Sequence, residues 1–256
     1  MRIQACLNGA RPVGFHPSLP ASPEALAREA AAVAAAGACG VHVHPRDEEN
    51  RERLSAAVIG PAVSAIRAAA PHLPVSVSTG EWIEGDDDQQ VACVASWAAL
   101  DLGKPDEASV NLSERNAPVV IATLMAGGIG VEAGLATPDD ARRLLGLGVA
   151  PACRRILIEI DDLAPDQAMT TALSIMALLD GASVTVERQL HGFGRSVWPM
   201  FDLAVTLGLM GRLGLEDGEL LPDWTRAEDN AALIAAGLKC FDQRRVSDGM
   251  KLSPGA

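Results

Sequence analysis

Short apolar and β-branched runs alternate with longer alanine- and leucine-rich runs along nearly the whole chain. The strand-like runs are IQACLNG (3–9), GVHVH (40–44), PVSVSTG (74–80), ASVNL (108–112), IGVEAGL (129–135), RILIEI (155–160), ASVTVER (182–188) and LMGRLGLED (209–217), eight in all. Between them, SPEALAREAAAVAAAG reads as a helix with Ser22 as N-cap, Pro23 at the first helical position and Gly37 after its end. TPDDARRLLGLG repeats the device with Thr137, Pro138 and a terminal Gly148, while APDQAMTTALSIMALLDG and TRAEDNAALIAAGLKCFDQRR carry apolar residues at helical spacing. Eight strands alternating with helices predict a single (β/α)8 TIM barrel over 1–256, with 247–256 as a surface tail. A doubly wound open sheet is the runner-up, weakened because no GxGxxG opens the first helix.

Composition narrows the function. The chain has 256 residues, enough for one large core, and is 48% hydrophobic and 21% charged. Its 33 acidic and 21 basic side chains leave a formal charge of −12, with no Lys/Arg cluster, which argues against nucleic acid and anionic membrane as partners. An anionic ligand therefore has to be held by a few local arginines, of which Arg11, Arg46, Arg115 and Arg212 are the candidates. The five cysteines form no CxxC and read as reduced, mostly buried thiols. The first residues lack the apolar core of a secretory leader, and the alanine-rich stretch 30–39 is too short to span a bilayer, so the expected location is cytoplasmic.

Polar residues recur where the strand-like runs end, which is where a barrel of this kind builds its active site. They are Asn8, His42, His44, Ser78, Thr79, Asn111, Glu132 and Glu159, with His191 after the seventh run and Glu216 and Asp217 closing the eighth. His42 and His44 sit two apart on a strand, so both point to one face, opposite Val41 and Val43. Glu216 would complete a two-histidine, one-carboxylate metal set, with zinc expected first and iron or manganese fitting the same ligands. Asp217, pointing elsewhere if the strand continues, is a candidate base that Arg212 would hold ionised. The alternative is structural: paired core histidines and a surface ion-pair cluster. His16 and His72, in proline-rich surroundings, read as surface residues, and Trp198 and Pro199 as packing residues.

The motifs ACLNGAR, AREAAAVAAAGACGVHVHPRD, VSVSTGEWI, ASVNLSE, IGVEAGL, LHGFGRSVWPM and GRLGLEDGELLPDWTRAEDNAALI, in that order, resemble those of the beta-keto acid cleavage enzymes. HxHxRD and RxGLED are the most specific pieces. The resemblance implies a zinc-dependent barrel that condenses a beta-keto acid with acetyl-CoA and cleaves the adduct to acetoacetate and a new acyl-CoA. It implies that His42, His44 and Glu216 bind the metal, that Asp217 with Arg212 removes the proton, and that Ser78 positions the reacting carbonyls. Arg11, Asn8, Thr79, Gly80, Asn111 and Glu132 are the expected substrate-binding residues, and a dimer or tetramer is the expected assembly. One departure is Arg11, which follows the GA of the first strand where a relative acting on an aminated keto acid carries a carboxylate. A cation there suggests a substrate whose distal end is neutral or carboxylate-bearing. Gly192, Gly194 and Arg195 could meet an anionic group. Two other readings are a metal-dependent hydrolase of a small carbonyl substrate and a barrel that binds a chelated ligand without turnover.

Overall fold

The computed structural model describes residues 1–247, and in it eight parallel strands close into a barrel in chain order. They are β1 (Ile3–Cys6), β2 (Gly40–Val43), β3 (Val75–Ser78), β4 (Glu107–Asn111), β5 (Gly130–Leu135), β6 (Arg155–Ile160), β7 (Arg188–Gly192) and β8 (Met210–Leu213). Each is followed by an outer helix: α1 (Pro23–Ala36), α2 (Ala56–Ala69), α3 (Asp87–Ser96), α4 (Ala117–Ala126), α5 (Pro138–Leu147), α6 (Pro165–Gly181), α7 (Val197–Leu207) and α8 (Asn230–Ser247). The expected tail at 247–256 lies outside the described residues apart from the backbone of Ser247. No described helix is long and apolar enough to cross a membrane.

The helix punctuation reads as the sequence predicts. The Ser22 hydroxyl accepts from Ala25 N at the start of α1, and Gly37 ends it at φ 102°, in the left-handed region where a side chain is strained. Thr137 and Asp140 form a reciprocal capping box on α5. The seventh strand departs from the prediction: the run 182–188 is a turn in which Ser183 takes φ 55°, and the strand begins only at Arg188. Val184 and Val186 pack half-buried against the core, so their alternation reflects packing rather than pairing.

Strand alternation sorts the residues cleanly. Val41, Val43, Val75, Val77, Val131, Ile156 and Ile158 face outward into the apolar layer under the helices, and all are buried. The inward positions are mostly polar, whereas barrel interiors of this type are usually filled by branched apolar side chains. Gln4, Ser76, Glu132 and Gln189, one from each odd-numbered strand, form one layer joined by hydrogen bonds: Gln4 Nε2 to Glu132 Oε1 (3.0 Å), Gln189 Nε2 to Gln4 Oε1 (3.0 Å) and Ser76 Oγ to Glu132 Oε2. Beneath them Arg155 pairs with Glu107 (2.7 Å) and with Glu132 (3.4 Å). Above them stand His42 and Arg212, on opposite sides of β1.

Candidate active site

His42 and His44 project into the barrel from β2 and from the residue just beyond it. The two Nε2 atoms are 3.2 Å apart, and Glu216 reaches both, Oε1 lying 3.5 Å from His44 Nε2 and Oε2 3.9 Å from His42 Nε2. All three residues are buried. Tetrahedral ligands on bonds of about 2.0 Å stand about 3.3 Å apart, so the spacing suits one divalent ion. Glu216 Oε2 is buried with no hydrogen-bond partner in the protein, an acceptor facing the two imidazole nitrogens.

The far side of each imidazole is held. His44 Nδ1 lies 2.7 Å from Glu52 Oε2, and Asn8 grips the main chain of His44, donating to its carbonyl (2.8 Å) and accepting from its N–H (2.9 Å). His42 Nδ1 lies 2.9 Å from Ser76 Oγ. Burial pulls His42 down to about 3, so it is neutral. Burial acts the same way on His44, but Glu216 and Glu52 outweigh it and lift the ring to about 9. Burial would raise Glu216, yet Arg212 and the two histidines hold it well below the usual carboxylate range.

The strand ends at Leu213 and the chain turns, with Asp217 N and Gly218 N both donating to Gly214 O (3.0 Å). Glu216 and Asp217 therefore do not diverge as adjacent strand residues would. Both reach Arg212 Nη2, Asp217 Oδ1 at 3.1 Å and Glu216 Oε1 in close ion pairing. Asp217 also receives the Cys6 thiol (3.1 Å) and stands 3.3 Å from His191 Nδ1. Burial would raise its pKa, but Arg212 and His191 lower it; burial pushes the Cys6 thiol well up, leaving it a donor. Gly9, at φ 54°, lies so close to Glu216 that a Cβ there would strike its side chain.

A cavity of about 290 Å³ opens over this group, at the C-terminal ends of the strands. Its wall includes His42, His44, Glu216, Arg212, Ser78, Asn111 and Glu159 among the residues read from sequence. It also includes Trp82, stacked on His44 with ring centroids 6.5 Å apart, and Asp161 and Phe193.

Other candidates lie elsewhere. Arg11 does not line the cavity: its Nε donates to Glu216 O (2.9 Å), its Nη2 to Asp217 O (3.2 Å), and its guanidinium covers the Phe15 ring. Thr79 donates to Ser109 O, Gly80 N donates to Ser78 Oγ, and Glu132 is enclosed below the site. Asp217 is fully buried behind Arg212. His191 lies within β7, with Nε2 3.8 Å from Glu159 Oε2. Arg46 is buried and donates to Gly9 O (2.9 Å), Arg115 pairs with Asp87 outside the cavity, and Arg195 pairs with Asp162. His16 is a correction: it is buried, accepting from Ser18 N and contacting Ala227 O at 3.0 Å, because the loop before α1 folds against the segment before α8. Glu52 and Ser76, which orient the two histidines, carry no sequence signal of their own; loop closure and barrel register bring them in.

The family model for beta-keto acid cleavage enzymes matches residues 1–126 and 165–245. The chain belongs to that family. It is 25% identical to the 3-keto-5-aminohexanoate cleavage enzyme of Acetoanaerobium sticklandii, over 91% of this chain and 88% of that protein. Among solved structures it resembles ObcA in a binary complex with oxaloacetate (TM-score 0.68, 18% identity) and ObcA in a ternary complex with a C4-CoA adduct and oxalate (TM-score 0.67, 18% identity). Each match covers 91% of this chain but only 64% and 65% of the ObcA chains, so the chain spans a little under two thirds of ObcA. At this identity the likeness shows the barrel. Among beta-keto acid cleavage enzymes, then, this chain places its buried His-His-Glu group, Arg212 and the cavity at one end of that barrel.

Proposed function

We propose that the protein is a metal-dependent acyltransferase that condenses a beta-keto acid with acetyl-CoA and cleaves the adduct to acetoacetate and a new acyl-CoA. The observation that carries the reading is the buried His42, His44 and Glu216 set facing a cavity that Arg212 also lines, in a chain of this family. Those three residues would hold the ion, zinc being proposed first, and the ion would supply Lewis-acid stabilisation of an enolate.

The protein groups do the rest. Arg212 is the cation on the wall beside the donor set, placed to take the keto acid's carboxylate. The C2 proton leaves to a carboxylate and its bonding pair passes into the enolate. Asp217 is the proposed acceptor; it is covered by Arg212, and the substrate reaches it once that side chain turns onto the incoming carboxylate. C2 then attacks the acetyl carbonyl and CoA thiolate departs. The thiolate attacks the original keto carbon, the C2–C3 bond breaks, and the pair returns to C2, which takes back a proton. Ser78 and Asn111, both on the wall, are placed to bind the carbonyl oxygens. No enzyme nucleophile is needed, in keeping with a buried and protonated Cys6.

Acetyl-CoA labelled in its acetyl group tests this: the label should appear in acetoacetate and be absent from the new CoA ester. Label retained as free acetate, or keto acid consumed without acyl-CoA, would favour the hydrolase reading. A cytoplasmic location and a dimer or tetramer belong to the same proposal.

A further inference from the structure

Glu132 reads from sequence as a substrate contact, yet its carboxylate lies below the cavity floor and is fully buried. It falls in 127–164, the stretch between the two segments that the family model matches. Buried charge in a barrel interior is costly unless it is fully compensated. Here three donors converge on it: Gln4 Nε2 on Oε1 (3.0 Å), Arg155 Nη1 near Oε1 (3.4 Å) and Ser76 Oγ on Oε2. Ser76 spends its hydroxyl proton on Glu132, so its oxygen is left to accept, and the group facing it is His42 Nδ1 at 2.9 Å. An imidazole that donates from Nδ1 presents an unprotonated Nε2, and His42 Nε2 is the atom turned to His44 and Glu216.

We propose that Ser76 and Glu132 are positioning residues that fix His42 in its Nδ1–H tautomer and so preset Nε2 as a metal ligand. The inference rests on the metal reading of the donor set and is independent of the substrate. It gives the polar layer of Gln4, Ser76 and Glu132 a purpose. The layer is an outer shell, compensated from beneath by Arg155, and outer-shell groups of this kind commonly change metal affinity about 10- to 100-fold. His44 is oriented differently, by direct contact with Glu52 from a loop.

The test is zinc affinity of metal-stripped protein, measured by competition with a chromophoric chelator, together with the visible spectrum of the cobalt-substituted form. Ser76→Ala should weaken zinc binding about 10- to 100-fold and alter the cobalt spectrum, while Ser76→Thr, which keeps the hydroxyl, should stay near the unaltered protein. Long-range 1H–15N spectra of the unaltered, metal-free protein should show the His42 proton on Nδ1, a readout that needs no variant to fold. Unchanged zinc affinity in Ser76→Ala, or a His42 proton on Nε2, would overturn the proposal. Failure of the unaltered protein to bind any divalent metal would instead sink the metal reading itself.

Discussion

Arg212 Nη2 lies 3.1 Å from Asp217 Oδ1, and both side chains are enclosed, so one buried cation holds a buried carboxylate while also touching that of Glu216. In the proposed mechanism Asp217 is the base, and Arg212 links it to the donor set. Asp217→Asn should therefore lower turnover about 100-fold or more with bound metal unchanged. Glu159→Gln is the informative comparison, because Glu159 is already on the cavity wall. Exchange of the C2 hydrogens in heavy water, without CoA, reports the base alone. If exchange survives in Asp217→Asn and is lost in Glu159→Gln, the base is Glu159.

Arg212→Met removes the compensation for Asp217. Breaking a buried pair from one side commonly costs about 3–5 kcal/mol, so denaturant unfolding should show a large loss of stability. Arg212→Met combined with Asp217→Leu should recover only part of that loss, because Glu216 also loses its Arg212 partner, and none of the activity.

Arg11 spans from the β1 loop to the main chain of Glu216 and Asp217, with no face on the cavity. Arg11→Ala should loosen the turn that carries Glu216 and weaken metal binding, leaving the ranking of beta-keto acids unchanged. A changed ranking in steady-state kinetics would restore the substrate-facing role that the sequence suggests.

Glu114 supplies a pH signature away from the metal site. Burial pushes its carboxyl up to about 7, and Oε2 has no partner, although Asn111 donates to Oε1. The folded chain holds this proton more tightly than the unfolded one, whose value is near 4.5. The contribution is thus fully present below about 4.5 and is lost as pH rises through about 7. Glu114→Gln should match the unaltered protein near pH 4 and exceed its stability at pH 8 by on the order of 1 kcal/mol, as read from paired thermal melts.

Much of this was legible in the chain. The strand runs with outward valines and isoleucines, the two proline-marked caps and the HxH spacing each express a local rule that burial reinforces. β7 was not, because RQLHG turns Gln189 and His191 inward and leaves only Leu190 as an apolar signal, while the neighbouring valines of 182–188 imitate a strand. The same polar interior hid the roles of Ser76 and Glu132, whose meaning depends on which side chains meet across the barrel. On a continuing strand the adjacent Glu216 and Asp217 would diverge, and the turn at Gly214 brings them together instead.

The proposed reaction is a metal-dependent exchange of acyl groups, and metal analysis of the purified protein beside a coupled acetoacetate assay over a panel of beta-keto acids tests it at its core. The expected result is about one divalent ion per chain and acetoacetate formed only when acetyl-CoA is present, with activity lost on chelation and regained with zinc. Full activity in the stripped protein, or product formed from the keto acid without an acyl-CoA, would contradict it.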